Sequence, residues 1–332
     1  MKNRGEHFIR WGILGCGNIA STFAQSIGQV HGGELCACAA GEFGRASMFA
    51  KRHKIKKVHT DYSSLVADNS IDAIYIATTH NFHFEQIMLC LANHKHVLCE
   101  KPITINAKQA RQVQLAAQKH NLLVLEAVWT RFLPAIEALQ NVLKQEIIGN
   151  VKSLYANFSI NLDISDEHRL LNLDLAGGAL LDLGIYPITM ADIVFQKPPT
   201  HAKASALMTN TGVDELSSYM LNYAEGQTAL LSAGFRQCAP TEALIFGDKG
   251  YIRVPNFLGA KSFEVVLDNQ PTQYFEYDYK DEYCFQFEIN HFHRCLEQGL
   301  TDSPVLPLAK SFEIVQLMDI LRAQFNLVYA GD

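Results

Sequence analysis

The chain has 332 residues, of which 48% are hydrophobic and 19% charged, so it is long enough for two domains with ordinary cores. Its formal net charge of −6 argues against a nucleic-acid partner, because phosphate recognition needs a basic face. The 8 cysteines are scattered and form no C-x-x-C pair, which is typical of free thiols in a reducing compartment. We find no apolar run that would span a bilayer and no signal-like N-terminus, so we expect a soluble, cytoplasmic protein without a membrane partner.

The first plausible strand leads into a glycine-rich turn. Apolar Trp11, Ile13 and Leu14 precede Gly15-Cys16-Gly17-Asn18-Ile19-Ala20, after which a helical pattern begins. Gly15 allows the tight turn, Gly17 lets the backbone approach a pyrophosphate, and Ala20 stands where helix and strand pack closely. The phosphates would lie on the free N–H groups of that helix. The segment predicts a dinucleotide-binding turn, although an empty tight turn is the plainer alternative.

The second strand, Glu34 to Ala40, ends near the residues that would contact the adenosine ribose. An acidic side chain there favours the 2′-hydroxyl of NAD, and an arginine favours the 2′-phosphate of NADP. Glu42 and Arg45 therefore point to different cofactors. On chemistry alone, the choice between NAD and NADP stays open.

Polar side chains follow two further strands at the sheet edge where open α/β folds bind ligands. Thr78, His80 and His83 come after the buried strand Ala73 to Ala77, and we expect His83 in the first turn of the next helix. Two histidines are short of the three protein ligands of a catalytic zinc, so we predict no metal. The next strand ends in Glu100-Lys101-Pro102, which places a lysine at the same edge.

Alternating strands and helices predict an α/β fold whose first domain, residues 1–126, is a doubly wound Rossmann domain. Residues 127–332 predict an α+β domain with a large open, mainly antiparallel sheet, because short alternating segments follow one another between residues 201 and 279 with turn residues between them. One face of such a sheet packs on helices. The other face is not cleanly polar, so we expect it to form a homodimer interface.

The second group of candidate residues lies between Gly177 and Pro187. Asp182 and Tyr186 are four residues apart, so on a helix they share one face. With Lys101 they supply a carboxylate, a phenol and an ammonium, which suits hydride transfer between an alcohol and a nicotinamide. The hydroxyl proton needs a base, and an ammonium lowers the pKa of a phenol, which is about 10 when free. The alternative interpretation is purely structural: Lys101 would be a loop lysine, Tyr186 a core tyrosine and Asp182 a surface carboxylate.

Together, the glycine turn, Glu100-Lys101-Pro102 and the Asp182 to Tyr186 segment make the chain similar to the glucose-fructose oxidoreductase, inositol dehydrogenase and MocA-like family. Glu126 to Phe132, Gly177 to Tyr186 and Thr211-Gly212-Val213-Asp214 resemble its dimeric dihydrodiol dehydrogenase branch. Members of that branch oxidise trans-dihydrodiols and aldoses such as D-xylose with NADP. The similarity covers nearly the whole chain and also implies a dimer through the open sheet.

The resemblance also implies roles for single residues. Lys101 and Tyr186 would be the catalytic pair, and Asp182 would support them or bind a substrate hydroxyl. His80 and His83 match a pair near the nicotinamide, and Trp129 and Phe158 match aromatics of the substrate pocket. Two more positions bear on the cofactor: Arg45 matches an arginine for the 2′-phosphate, whereas Gly41 replaces a second arginine of the branch.

Three hypotheses follow from these residues. The first is an NAD(P)-dependent dehydrogenase of a sugar, polyol or cyclic trans-diol. The second is a catalytically silent NAD(P)-binding regulatory protein, against which the intact lysine and tyrosine argue. The third is an NADPH-dependent reductase of a sugar-derived ketone, which differs from the first mainly in direction.

Overall fold

The computed structural model describes residues 8–279 and 284–332 and divides them into two compact units. The first unit takes residues 8–104, 108–129 and 284–312, and the second takes residues 105–107, 130–279 and 313–332. The chain therefore returns to the first unit after completing most of the second.

The strands of the described residues fall into two sets, one for each sheet. The first set comprises β1 (Ile9–Leu14), β2 (Gly33–Ala39), β3 (Lys57–Val58), β4 (Ala73–Ile76), β5 (His96–Glu100) and β6 (Val124–Ala127). The second set comprises β7 (Val151–Ser159), β8 (His201–Met208), β9 (Asp214–Asn222), β10 (Thr228–Gly234), β11 (Glu242–Gly247), β12 (Gly250–Pro255), β13 (Ser262–Leu267) and β14 (Gln273–Glu276).

The α-helices of the described residues mostly alternate with the strands in the first half of the chain. They are α1 (Asn18–Ser26), α2 (Phe43–His53), α3 (Tyr62–Val66), α4 (His83–Ala92), α5 (Ala107–His120), α6 (Pro134–Lys144), α7 (Ile185–Phe195), α8 (Gln286–Glu297) and α9 (Leu308–Ala323). Short 3₁₀ turns and one π turn complete the regular structure.

The first sheet is parallel throughout, with strand order β3-β2-β1-β4-β5-β6. The order reverses at β1, as in a doubly wound fold, and this point of reversal is where such sheets bind ligands. Every residue of β4 is buried, because helices cover both faces of a parallel sheet and favour apolar strands. The predicted α/β class and the Rossmann arrangement are confirmed.

Helix α8 packs on β1 although the two are far apart in sequence. The Trp11 indole donates a hydrogen bond of 3.0 Å to the His293 ring, and the Trp11 ring lies 4.9 Å from that of Phe292. Both aromatic side chains are fully buried. These contacts explain why residues 284–312 belong to the first unit.

The second sheet is mainly antiparallel, with order β14-β13-β12-β11-β7-β10-β9-β8 and one parallel pair, β7 with β10. This confirms the predicted large open sheet. Along β9, Ser217, Tyr219 and Leu221 are buried, whereas Ser218 and Met220 are exposed, so the two faces differ as the period of a strand requires. Helix α7 packs on the buried face.

One helical stretch in the second unit resembles a membrane span in length and composition. The helical stretch Leu173–Phe195 has 23 residues and is long and apolar enough to cross a membrane by length and composition. However, 89% of its apolar window is buried inside the protein. A core helix surrounded by its own domain is apolar on all sides, so its composition resembles that of a membrane span.

Candidate active site

The turn after β1 has the geometry that a bound pyrophosphate needs. Gly15 has φ +89°, and a Cβ there would lie 2.8 Å from the carbonyl oxygen of Ala77, so only glycine fits. Gly17 differs, because no described residue other than its chain neighbours comes within 4 Å of a Cβ built on it. The protein's own packing therefore does not require glycine at this position, and the space beside Gly17 fits the predicted close approach of a pyrophosphate. Helix α1 begins directly after Gly17 with no acidic residue in its first turn, which leaves its N–H groups available to an anion.

The two residues that the sequence predicts to contact the adenosine ribose lie at the start of α2. Glu42 is the N-cap of this helix, and Arg45 follows one turn later with its guanidinium 3.7 Å from the Glu42 carboxylate. Both side chains are mostly exposed, so the pair is weak and the Arg45 guanidinium is accessible to solvent. Gly41 is exposed as well and adds no side chain to the recognition of the ribose.

His80 and His83 lie at the C-terminal end of β4, as predicted, and α4 begins at His83. The buried His83 ring places Nδ1 2.8 Å from the carbonyl oxygen of Pro102 and Nε2 3.2 Å from that of Thr78. Burial lowers the pKa of His83 to about 3, so the ring is neutral and carries one N–H, which we assign to the shorter contact. His83 thus links α4 to the turn that follows Lys101. Among the residues described, no group of three or more His, Cys, Asp or Glu side chains could hold a metal ion.

The segment Glu100-Lys101-Pro102 is held by buried hydrogen bonds. The Tyr75 hydroxyl donates to the Glu100 carboxylate, and the amide of Ile103 donates to the Glu126 carboxylate over 2.9 Å. The peptide bond between Lys101 and Pro102 is cis. These contacts fix the backbone on either side of Lys101, whose side chain is half-buried at the sheet edge.

In the second unit, Asp182 and Tyr186 lie on either side of the junction between a π turn, Leu180–Gly184, and α7. A π turn holds one more residue than an α turn and is frequent at functional sites. Tyr186 is buried and its ring meets that of Phe158 edge-on, with 5.6 Å between centroids. The structure thereby brings together two of the predicted substrate-binding residues.

Sequence reasoning missed Arg169. Its guanidinium lies 3.3 Å from the Asp182 carboxylate, and it comes from a 3₁₀ turn in the loop before Gly177. The guanidinium is half exposed while the carboxylate is buried, so the pair presents a charged donor and a charged acceptor at one place. Nothing in the spacing of Arg169 along the chain indicated this contact, because an irregular loop provides it.

The predicted site residues thus fall into two groups. The first unit holds the glycine turn with Asn18, Ile19 and the buried Ala20, then Glu42, Arg45, Thr78, His80, His83, Glu100 and Lys101. It also holds the buried Trp129, whose ring lies 6.0 Å from that of Phe285. The second unit holds Phe158, Asp182 and Tyr186.

Comparison with known proteins gives matches over most of the chain. Residues 9–127 match an oxidoreductase family with an NAD-binding Rossmann fold, and residues 136–253 match the GFO/IDH/MocA C-terminal domain. Trans-1,2-dihydrobenzene-1,2-diol dehydrogenase of Xenopus laevis is 33% identical over 96% of this chain and 99% of its own length. The enzyme of the same name from Mus musculus is 32% identical over 98% and 99%. A 3-ketoreductase from Actinomadura kijaniata, solved with NADP and TDP-benzene, superposes with a TM-score of 0.86 at 24% identity and covers 96% of this chain and 98% of its own.

The fold, the glycine turn and these relatives define an NAD(P)-dependent oxidoreductase of the dehydrogenase class. The chain belongs to the GFO/IDH/MocA family, as the resemblance implied. The residues around the glycine turn fit the cofactor, since Gly17 leaves room for a pyrophosphate and α1 offers its free N–H groups.

Proposed function

We propose that the protein oxidises a secondary alcohol of a sugar, polyol or cyclic trans-diol, with Lys101 and Tyr186 as its catalytic pair. The observation that carries the proposal is the group formed by Tyr186, Phe158 and the Arg169–Asp182 pair. A phenol that packs on an aromatic ring and a charged donor-acceptor pair are thus held four residues apart on the π turn and α7. Such a set suits a ring that carries hydroxyl groups, because hydroxyls both donate and accept while the ring face is apolar.

In this proposal the nicotinamide supplies the hydride acceptor, and the protein moves the proton. The Tyr186 phenolate takes the proton of the substrate hydroxyl, and the Lys101 ammonium stabilises that phenolate by its charge. Asp182 accepts a hydrogen bond from a neighbouring substrate hydroxyl, and Arg169 donates one. Trp129 and Phe158 would pack against the apolar faces of the substrate.

The proposal also gives each of the two predicted domains a role. We assign cofactor binding to residues 1–126 and substrate binding and self-association to residues 127–332. NADP is the preferred cofactor in this proposal, because the displaceable and exposed Arg45 suits a 2′-phosphate. A cytoplasmic location accords with the free cysteines.

The open face of the second sheet supports a homodimer. Its exposed side chains include Tyr155, Met220, Leu230 and Tyr251, and an open groove of about 470 Å³ runs beside Met220 and Leu230. Contiguous apolar side chains of this kind mark interfaces, and a two-fold dimer would bury the same patch on both copies. Sedimentation velocity at micromolar concentration checks this, and a monomer under those conditions contradicts it.

The test of the catalytic pair is a substrate panel offered with NADP or NAD while the absorbance of the reduced nicotinamide is followed. We expect Tyr186→Phe and Lys101→Met each to lower kcat by about 10²-fold to 10⁴-fold, the usual contribution of a proton-transferring group. Tyr274→Phe and Lys108→Met, both at exposed positions, serve as matched controls. Turnover near that of the wild type in either catalytic variant removes the assigned role.

The alternative functions predict different outcomes in the same assay. A regulatory protein would bind the cofactor tightly and turn over no alcohol or ketone in the panel. A reductase would prefer the ketone and NADPH, with the same two residues donating rather than accepting the proton.

A further inference from the structure

A buried hydrogen-bonded chain lies directly behind the π turn that carries Asp182. Asp214 begins β9, and its Oδ2 accepts hydrogen bonds from the Leu180 amide over 2.8 Å and from the Ser217 hydroxyl over 2.6 Å. The Ser217 oxygen lies 2.5 Å from the Tyr219 hydroxyl. Because Ser217 spends its only proton on the carboxylate, Tyr219 must donate to Ser217. All three side chains are within 2% of full burial.

We propose that Asp214, together with Ser217 and Tyr219, is a positioning group that holds the π turn so that Asp182 and Tyr186 keep their places. The inference rests on the proposed function, since it assigns these side chains a task in that reaction. It adds residues that touch neither the cofactor nor the reacting atoms.

The first support is that the contact is made to the start of the turn itself. Leu180 is the first residue of the π turn, so its amide N–H is one of the N-terminal donors of a helical segment. Such donors attract a negative charge. A π turn is rare and has poorer hydrogen-bond geometry than an α-helix, so tertiary contacts must stabilise it. The Asp214 carboxylate makes such a contact, and the Leu180 amide that it binds lies two residues before Asp182 in the chain.

The second support is that glycines on both sides of the turn leave room for this chain. A Cβ on Gly178 would lie 2.3 Å from Asp214 Oδ1, and a Cβ on Gly184 would lie 2.5 Å from the Tyr219 hydroxyl. Either side chain would push the network off the backbone. Gly178 precedes Asp182 and Gly184 follows it, so the backbone packs closely against the Asp214 carboxylate on one side of Asp182 and against the Tyr219 hydroxyl on the other.

A third contact fixes the segment just before the turn. The Tyr329 hydroxyl donates to the carbonyl oxygen of Gly177 over 2.7 Å, and a Cβ on Gly178 would also lie 3.2 Å from that hydroxyl. The Arg322 guanidinium lies 5.4 Å from the centre of the Tyr329 ring. The groups that face Asp214 are thus the hydroxyls of Ser217, Tyr219 and Tyr329. The positive charge of Arg322 lies against the Tyr329 ring.

The charge state of Asp214 gives the network a measurable signature. Burial raises the pKa of Asp214 to about 6, while hydrogen bonds from Ser217 and from the Leu180 amide act in the opposite direction. The carboxylate is therefore mainly ionised at pH 7 and protonated at pH 5. Protonation makes this acceptor neutral and weakens the hydrogen bonds that it receives from the Leu180 amide and from Ser217, so kcat should follow the pKa of Asp214 if the network positions the turn.

The experiment compares Asp214→Asn and Ser217→Ala with Ser218→Ala, whose side chain lies exposed on the opposite face of the same strand. We expect kcat to fall by about 10²-fold in Asp214→Asn and about 10-fold in Ser217→Ala, with KM nearly unchanged, as for a small misplacement of reacting groups. In Ser217→Ala the acid limb of the kcat profile should move to higher pH, because the carboxylate loses a donor. A kcat and a pH profile in Asp214→Asn like those of the wild type overturn the proposal.

A second measurement separates this proposal from the proposed function. Hydrogen exchange of the amides of residues 180–184 reports on the turn whether or not the protein turns over any alcohol. Faster exchange in Asp214→Asn and Ser217→Ala, but not in Ser218→Ala, supports the network even if the wild type proves inactive. Unchanged exchange overturns it. Should Asp214→Asn fail to fold, Ser217→Ala and Tyr219→Phe make the same comparison with smaller changes.

Discussion

Gly15 and Gly17 are two residues apart in one turn, and the structure predicts opposite consequences for replacing them with alanine. Gly17 has φ −95° and ψ −166°, which any residue adopts, and a Cβ there meets no described residue beyond its chain neighbours within 4 Å. Gly17→Ala should therefore leave the unfolding free energy unchanged or raise it by about 0.4 to 1 kcal/mol, because alanine restricts the unfolded chain. The added methyl would, however, occupy the path of an approaching pyrophosphate.

We expect Gly17→Ala to weaken binding of the reduced cofactor at least about tenfold, or about 1.4 kcal/mol. Gly15→Ala should instead lower the free energy of unfolding by about 1 to 3 kcal/mol, which is the usual cost of a strained backbone. Its φ is +89° and its Cβ would lie 2.8 Å from the Ala77 carbonyl oxygen, so the neighbouring backbone must shift.

Two assays separate these effects. Urea unfolding without cofactor gives the stability of each variant, and fluorescence titration with NADPH and NADH gives the affinity. Gly28→Ala is the matched control, since a Cβ there also meets no described residue within 4 Å apart from its chain neighbours. If Gly17→Ala binds both cofactors as tightly as the wild type does, the pyrophosphate does not approach this turn and the reasoning is refuted.

Three further predictions concern cofactor choice, pH and packing. Arg45→Ala should weaken NADPH about tenfold and leave NADH nearly unchanged, as expected for loss of one phosphate contact; equal loss for both contradicts it. Folding lowers the pKa of His83 from 6.5 to about 3, so between these pH values the ring takes up a proton only when the protein unfolds. The free energy of unfolding should therefore decrease as the pH falls from 6.5 towards 3. His83→Asn should flatten that slope by up to about 1.4 kcal/mol per pH unit in urea titrations, whereas an unchanged slope would mean that the ring is charged in the fold. Asp192→Leu leaves the buried Arg131 guanidinium without its ion-pair partner and should cost about 3 to 5 kcal/mol, and the double variant Arg131→Met/Asp192→Leu should recover part of that loss in the same unfolding assay.

The sequence by itself determined the elements whose signals are local. Strand β1, the glycine turn and α1 follow from an apolar run, two glycines and a helical period within about one βα unit. The parallel sheet followed from alternating strands and helices, and the antiparallel sheet followed from short alternating segments between turns. Lys101 at the end of β5 and Tyr186 near the start of α7 were visible because each lies in a motif.

The tertiary structure alone decided the contacts that join distant parts of the chain. The packing of Trp11 on His293, the pairing of Arg169 with Asp182, and the hydrogen bond from Leu180 to Asp214 have no periodic signature in the sequence. Nor could composition distinguish a buried core helix from a membrane span at Leu173–Phe195. Local patterns report which face of an element is apolar, whereas the partner of that face is fixed only when the whole chain minimises its exposed apolar surface and satisfies its buried polar groups.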